Sequence, residues 1–241
     1  MQAQTKLSDI DVDGAIQEAA HEAIDGLEPG DTRLDFFKKA GLTGGAVMGG
    51  GVLLSALTPA FASAAGRGRP PASFGKGDIG ILNYALTLEY LEAAFYNEAT
   101  ANQAKTSFIK DGQTQVFLNT VTNDENMHVK ALQKALGKKA VKSPKFNFQG
   151  DNAEEEKFRT SSFAFENEGV HAYSGQAFNI KDPAYLAVAL SIVTIEARHA
   201  AVIGLIAKGS EQGIAPNGAF DTPYTAAKVL KDVTSLNYIQ K

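Results

Sequence analysis

Residues 122–136 read TNDENMHVKALQKAL, a stretch that places Glu125 and His128 three positions apart on a predicted amphipathic helix. Side chains at positions i and i+3 project from the same side of a helix, so this pair offers a carboxylate and an imidazole to one point in space. The same Glu-x-x-His spacing recurs seventy-one residues later as Glu196 and His199, within SIVTIEARHAAVIGL. Two such pairs predict a metal-binding site.

The helical period places both pairs inside the protein. Apolar residues recur every three or four positions around each pair, and the Glu and His occupy the same register. The apolar positions concerned are Leu118, Val121, Leu132 and Ala135 around the first pair and Tyr185, Ala189, Ile192 and Ile203 around the second. Burying an unpaired carboxylate is costly, so a bound cation is the predicted compensation. A salt-bridge network in the core is the alternative interpretation.

A helix predicted over 78–102 adds further candidates. Its wide apolar arc is formed by Ile81, Leu82, Tyr84, Leu86, Leu88, Leu91 and Phe95. Glu89, Glu92 and Tyr96 fall inside this arc, whereas Asn83 is among the residues predicted to face the other way. Two inward carboxylates and an inward phenol indicate a third contribution to the same site.

The helix predicted over 152–178 has two possible phases. In one phase its inward stripe contains Glu166 and Tyr173. In the other, Glu168 and His171 form a further Glu-x-x-His pair on a neighbouring face. We favour Glu166 as the inward carboxylate, which leaves Glu168 and His171 as a pair at the rim or the surface.

The remaining pattern predicts an all-α protein, a four-helix bundle over 78–241. The other two long helices are predicted from Gln113 to Leu136 and, after Pro183, to about Lys208. Residues 139–151 contain Pro and alternating Phe, which predicts a long crossover connection between helices two and three. An amphipathic stretch over 225–238 predicts a short C-terminal helix that packs along the bundle.

The N-terminal part has a different character. Residues 1–31 predict a disordered acidic leader, and 65–77 read as a linker. Residues 32–64 resemble a twin-arginine export signal, with Leu34 in place of the second Arg and Ala62-Ser63-Ala64 as a cleavage site. An uncleaved membrane anchor through 40–66 is the alternative. Either interpretation predicts a folded domain outside the cytoplasm, exported to the periplasm or the extracellular space, or anchored facing outward.

Composition excludes several function classes. Nine of the 27 acidic and four of the 23 basic residues lie in 1–39, so the rest of the chain is nearly neutral, which argues against a nucleic-acid partner. The absence of Cys excludes disulfides, thiolate metal sites and cysteine nucleophiles. No Gly-rich phosphate loop follows a predicted strand, so kinases and dinucleotide enzymes are disfavoured.

One Glu from each of two helices, with a Glu-x-x-His from each of the other two, is the ligand pattern of dinuclear sites in ferritin-like bundles. The phrases ALTLEYLEAAFY, DENMHV, FENEGVHAY and AFDTPYT resemble the exported bacterial branch of the ferritin-like superfamily, from about Asp78 to Tyr238. The resemblance implies a ligand set of Glu89, Glu125, His128, Glu166, Glu196 and His199. It leaves Glu92 as a neighbour of Glu89 or an alternate ligand.

Such ligands favour iron or manganese, because they combine carboxylate oxygen with imidazole nitrogen and include no sulfur. We expect two ions, with Glu125 and Glu196 as bridges, His128 as a terminal ligand of one ion and His199 of the other. Glu89 and Glu166 are the expected terminal carboxylates. Tyr96 and Tyr173 are candidate hydrogen-bond donors or redox-active phenols, and core packing is the alternative role for each.

The expected reaction is ferroxidase-like or catalase-like redox chemistry with dioxygen, hydrogen peroxide or Fe(II), in metal handling or oxidative-stress defence. A non-catalytic structural or stress-related bundle with weak or no metal binding is the alternative. An oligomer is possible. Iron storage in a cage would depend on surface contacts that the sequence does not reveal.

Overall fold

The structure is a computed structural model, and it describes residues 68–240. The acidic leader predicted over 1–31 and the signal or anchor predicted over 32–64 lie outside the described residues. The described helices are α1 (Gly77–Thr106), α2 (Gly112–Leu136), α3 (Glu155–Ala177), α4 (Pro183–Lys208), α5 (Glu211–Ile214) and α6 (Ala226–Ser235). The prediction of an all-α bundle is confirmed, and α5 is a single additional turn that the sequence pattern did not indicate.

The four long helices pack as two antiparallel pairs. The chain brings α1 against α2 and α3 against α4, and the two pairs meet through contacts of α2 with α4 and of α1 with α3. The long connection predicted between helices two and three leads from the end of α2 to Glu154, the residue before α3. Its Phe146 forms an isolated antiparallel bridge with Ile239 near the end of the chain.

Helix capping explains two of the helix starts. The Asp111 carboxylate accepts a hydrogen bond from the backbone N–H of Thr114 at 2.7 Å, which caps α2. Asp182 caps α4 by accepting from the backbone N–H of Ala184 at 2.8 Å, and Pro183 is the first helical residue.

The first helix begins one residue before its predicted start at 78, and the residue before it makes no side-chain capping hydrogen bond. Helix α1 begins at Gly77 after Lys76, and Asp78 lies inside its first turn. The Asp78 carboxylate instead accepts hydrogen bonds from the backbone N–H groups of Lys181 at 3.1 Å and Asp182 at 2.8 Å. It therefore ties the start of α1 to the connection between α3 and α4, a long-range contact that local sequence does not show.

Two apolar clusters fill the bundle on either side of its middle. One contains a group of aromatic rings around Phe95, whose centroid lies 5.0 Å from that of Phe165 and 5.8 Å from that of Phe158. The other, towards the opposite end, includes Leu86 and Leu132. The candidate ligands lie along the helices between these two clusters, where apolar layers exclude water from both directions.

The chain after α4 covers part of α3. The backbone N–H of Tyr224 donates to the His171 carbonyl at 3.0 Å, and the Tyr224 ring stacks on the His171 imidazole with centroids 4.2 Å apart. A Cβ at Gly175 would lie 1.8 Å from the Tyr224 carbonyl oxygen, so only glycine permits this approach. The predicted C-terminal helix is present as α6, which also packs on α3.

Asn83 was predicted to face outward, and this prediction is wrong. Its side chain is buried, donates to the carbonyls of Phe74 at 2.9 Å and Lys139 at 3.0 Å, and accepts from the Val141 N–H at 3.0 Å. The segments before α1 and after α2 cover this face of α1, so a polar side chain is needed there to satisfy their backbone groups.

Candidate metal centre

Six candidate ligands converge at the middle of the bundle in two overlapping groups. The first group is Glu89, Glu125, His128 and Glu196, and the second is Glu125, Glu166, Glu196 and His199. Within each group, one possible ligand atom from every residue lies within 4.8 Å of the others. All six residues are buried, and Glu125 and Glu196 belong to both groups.

The imidazole of His128 faces the first group. Its Nδ1 lies 3.3 Å from Glu89 Oε2, 3.2 Å from Glu125 Oε2 and 3.1 Å from Glu196 Oε1. The i,i+3 spacing within α2 sets the contact with Glu125, and the packing of α2 against α1 and α4 supplies the other two carboxylates.

Both ring nitrogens of the second imidazole, that of His199, contact carboxylate oxygens. Its Nδ1 lies 3.2 Å from Glu125 Oε1 and 3.2 Å from Glu166 Oε2. Its Nε2 lies 3.2 Å from Asp124 Oδ2, and Asp124 lies on the outer side of the site. A carboxylate partner on one nitrogen fixes which nitrogen faces a metal, so Asp124 orients this ring. Sequence reasoning missed Asp124, because its contact with His199 joins two helices and neighbouring positions of a helix do not share a face.

Two tyrosines link the helices that carry Glu89 and Glu166. The Tyr96 hydroxyl on α1 donates a hydrogen bond to Glu166 on α3, and the Tyr173 hydroxyl on α3 donates to Glu89 on α1. Burial and the neighbouring carboxylate raise the pKa of each phenol well above its usual range, so both remain donors. Their role as catalytic residues stays a prediction.

Glu92 lies beside the site and belongs to neither group. Its side chain is buried, and its Oε2 has no hydrogen-bond partner. Burial raises the pKa of Glu92 well above its usual range, and the nearby Glu196 and Glu125 carboxylates raise it further. The chemistry of its position suits either an additional ligand or a carboxyl group that holds a proton while no cation is bound.

Glu92 also breaks the internal symmetry of the centre. Glu89 and Tyr96 on α1 have counterparts on α3 in Glu166 and Tyr173, at the same seven-residue spacing, and the position on α3 that corresponds to Glu92 is Gly169. A Cβ at Gly169 would lie 3.0 Å from Glu196 Oε2. The two halves of the site therefore differ in their number of carboxylates.

The charges of the metal-free cluster are not balanced. Burial raises the pKa of Glu125 to about 7 and that of Glu196 well above its usual range, with each further raised by neighbouring carboxylates. Burial alone would lower the pKa of His199, but contacts with Glu125 and Glu166 raise it to about 11. The raised pKa values favour bound protons in the metal-free centre, and a cation that entered it would have to displace them.

The donor set fits bound divalent cations. Glu89 Oε2, Glu125 Oε1 and Glu196 Oε1 each share an imidazole nitrogen with other carboxylate oxygens, and Glu196 Oε2 is buried without a hydrogen-bond partner. Buried carboxylate oxygens rarely lack one, because desolvation without compensation is costly. Oxygen and imidazole nitrogen ligands without sulfur suit iron or manganese.

The other Glu-x-x-His pair lies elsewhere. Glu168 and His171 are in neither group, and His171 is buried beneath Tyr224, so the expectation of a rim or surface pair is wrong for this histidine. The C-terminal segment covers it, which the helical period of α3 alone does not reveal. The geometry thus places Glu166, and not Glu168, in the centre.

Comparison with protein families agrees with this geometry. The model of the ferritin-like domain family matches residues 77–208, more than half of the chain. This chain belongs to the ferritin-like domain family. The match covers all four long helices of the ferritin-like domain and therefore all seven candidate metal ligands. A comparison with curated proteins finds no match.

Proposed function

We propose that this ferritin-like domain binds two iron or two manganese ions and carries out redox chemistry with dioxygen or hydrogen peroxide, of the ferroxidase or catalase type. The observation that carries the proposal is the pair of overlapping ligand groups that share Glu125 and Glu196. Sharing allows two cations to be held close together by few residues. Two redox-active ions would supply or accept the two electrons that such a reaction needs.

The residues of the chain would prepare this site in three ways. The first group, with His128, would hold one ion, and the second, with His199, would hold the other. Tyr96 and Tyr173 fix the terminal carboxylates by hydrogen bonds, and Asp124 fixes the His199 ring. Because these supports are already in place, little reorganisation is needed when the ions bind.

The apolar layers around the centre would protect the reaction. The aromatic cluster around Phe95 and the aliphatic cluster around Leu132 exclude water on two sides. A dry surrounding strengthens the interaction of the carboxylates with cations and limits side reactions. Glu92 would lose its proton when metal binds. Its pKa is raised in the metal-free protein, and a nearby cation favours the ionised form of the carboxyl group.

Metal analysis of the purified full-length chain tests the proposal first. Protein produced in medium supplemented with iron and manganese should contain two ions per chain. Glu125→Gln should lose most of this metal because it removes a shared ligand, whereas Glu168→Gln is a matched control on a carboxylate outside both groups.

Turnover assays then separate the possible reactions. Fe(II) oxidation and peroxide consumption are measured separately on iron-loaded and manganese-loaded protein. Activity with one metal that is lost in Glu125→Gln and kept in Glu168→Gln supports the proposal. A chain that stays metal-free and whose melting temperature does not respond to either ion would instead support the non-catalytic bundle.

The proposal includes a location outside the cytoplasm. It is supported by the resemblance of residues 32–64 to an export signal, with attachment through 40–66 as the alternative. Cell fractionation with and without the first 66 residues tests it, and protein that stays in the cytoplasm in both forms would contradict it.

A further inference from the structure

A groove runs along the outside of the bundle between α2 and α4. Its volume is about 900 Å³, and His199 contributes to its wall. Asp124 and Arg198 lie near the level of the centre, while Gly112 and Ile206 lie towards one end of the bundle. A volume of this size is within the range of small-molecule sites, about 300–1,000 Å³.

The walls of the groove are apolar and open to solvent. Val116 on α2 is 66% exposed, and Val202 and Leu205 on α4 are 49% and 50% exposed, and all three line the groove. Single exposed apolar residues are ordinary, but several in one concave surface mark a binding site. Helix α4 is also long and apolar enough by composition to cross a membrane, with a third of its most apolar window buried.

Three charged side chains that line the groove differ in whether the described part of the chain supplies them with an ion-pair partner. The carboxylate of Asp111 caps α2 and lies 3.4 Å from Arg159, and that of Asp124 contacts His199. Arg198 is exposed and has no carboxylate within ion-pair distance among the residues that the structure describes. The groove therefore combines apolar walls with a single available guanidinium, which suits a ligand that has an apolar chain and one negative charge.

We propose that this groove binds a single-chain anionic amphiphile, a long-chain carboxylate taken up as a free monomer. The carboxylate head pairs with Arg198, and the chain lies along Val116, Val202 and Leu205 towards the end of the bundle. This binding does not rest on the proposed metal chemistry. His199 forms part of the groove wall, but the head group pairs with Arg198 and the chain packs on apolar side chains, none of which belongs to the two ligand groups.

Calorimetric titration of the metal-free full-length chain with dodecanoate below its critical micelle concentration tests the proposal. We expect one molecule per chain. Each methylene added between decanoate and tetradecanoate should strengthen binding by up to about fourfold. Arg198→Gln should weaken dodecanoate binding about tenfold and leave dodecanol binding unchanged, because only the carboxylate pairs with the guanidinium.

Matched variants locate the chain of the ligand. Val202→Asp places a charge in the groove and should weaken the binding of both dodecanoate and dodecanol at least about tenfold. Leu190→Asp is its control, because Leu190 is an equally exposed residue of α4 that does not line the groove. Lys130→Gln, an exposed cation outside the groove, is the control for Arg198→Gln.

Three outcomes would overturn the proposal. Dodecanol that binds as tightly as dodecanoate would remove the role of Arg198. Sedimentation that shows a dimer dispersed by Val202→Asp would make the groove an interface between two copies of the chain. Binding to vesicles of mixed phosphatidylcholine and phosphatidylglycerol, without binding of monomeric dodecanoate, would make it a membrane contact.

Discussion

Replacing Glu196 by Gln should change the stability of the metal-free and the metal-loaded protein in opposite directions. In the metal-free centre, five buried carboxylates, including Glu92, face only two imidazoles. Glu196 Oε2 lacks a hydrogen-bond partner, and Glu196 Oε1 shares His128 Nδ1 with Glu89 and Glu125. Burial, followed by the Glu125 charge, raises the pKa of Glu196 well above its usual range. A neutral side chain of the same shape removes this cost.

The size of the effect follows from the burial of the group. Gln is also polar, so it removes only the part of the cost that comes from charge: on folding, the Glu196 carboxylate must be buried or must bind a proton. We expect metal-free Glu196→Gln to gain about 1–3 kcal/mol of stability, the desolvation cost of a buried group. For a domain of this size the gain corresponds to an increase in melting temperature of about 2–12 °C. Each ion present at a hundred times its dissociation constant stabilises the wild type by about 2.7 kcal/mol. The Glu196→Gln variant should lose most of this stabilisation by bound metal, because both groups share Glu196.

Glu92→Gln is the matched control. It also removes a buried carboxylate from the same region, so the metal-free variant should be stabilised in a similar way. Because Glu92 belongs to neither group, its variant should keep the thermal shift produced by iron or manganese. If Glu92→Gln loses the shift as well, Glu92 is a ligand and the ligand set has seven members.

Thermal melts followed by circular dichroism, with and without chelator and with added metal, measure both effects. A structural salt-bridge network predicts the reverse for the metal-free protein, because removing one partner of a buried ion pair costs about 3–5 kcal/mol. A lower melting temperature of metal-free Glu196→Gln would therefore refute the assignment of the centre as a cation site.

Three further predictions concern residues around the centre. Asp124→Asn should weaken metal binding by about 10–100-fold in a chelator competition, because Asp124 orients a ligand histidine. Tyr96→Phe and Tyr173→Phe should each cost about 1–3 kcal/mol in denaturant unfolding of the metal-free protein, because each leaves a buried carboxylate without its donor. Burial and then the Asp232 charge raise the pKa of Glu168 to about 7, so its contribution to stability is present below its unfolded pKa of about 4.3 and is lost as pH rises through about 7. As pH rises from about 5 to 8, the wild type should therefore lose about 1–2 kcal/mol more stability than Glu168→Gln, after allowance for solvent screening.

Each of these predictions has an opposing result. Unchanged metal affinity in Asp124→Asn would show that the ring of His199 is held by packing alone. Tyrosine variants as stable as the wild type would show that the two hydrogen bonds do not stabilise the carboxylates. Parallel pH profiles of the wild type and Glu168→Gln would show that Glu168 is solvated in the same way before and after folding.

The helical pattern predicted the elements of the centre well, for a physical reason. Glu125 with His128, and Glu196 with His199, interrupt strongly apolar helical stripes, and a period of 3.6 residues determines which side chains share a face. The same pattern was weaker for α3, where Glu166 and Glu168 lie on neighbouring faces. Only the packing of α3 on α1, with Tyr96 donating to Glu166, distinguishes them.

The sequence by itself determined the helical class of the fold, the family, and six buried ionisable residues, because each depends on local periodicity and residue type. Tertiary structure alone decided that these residues form two groups sharing Glu125 and Glu196, that Asp124 reaches His199 from a different helix, and that Asn83 and His171 are covered. Such contacts join residues far apart in the chain, and their existence depends on how helices pack against one another, which no periodicity within a single helix records.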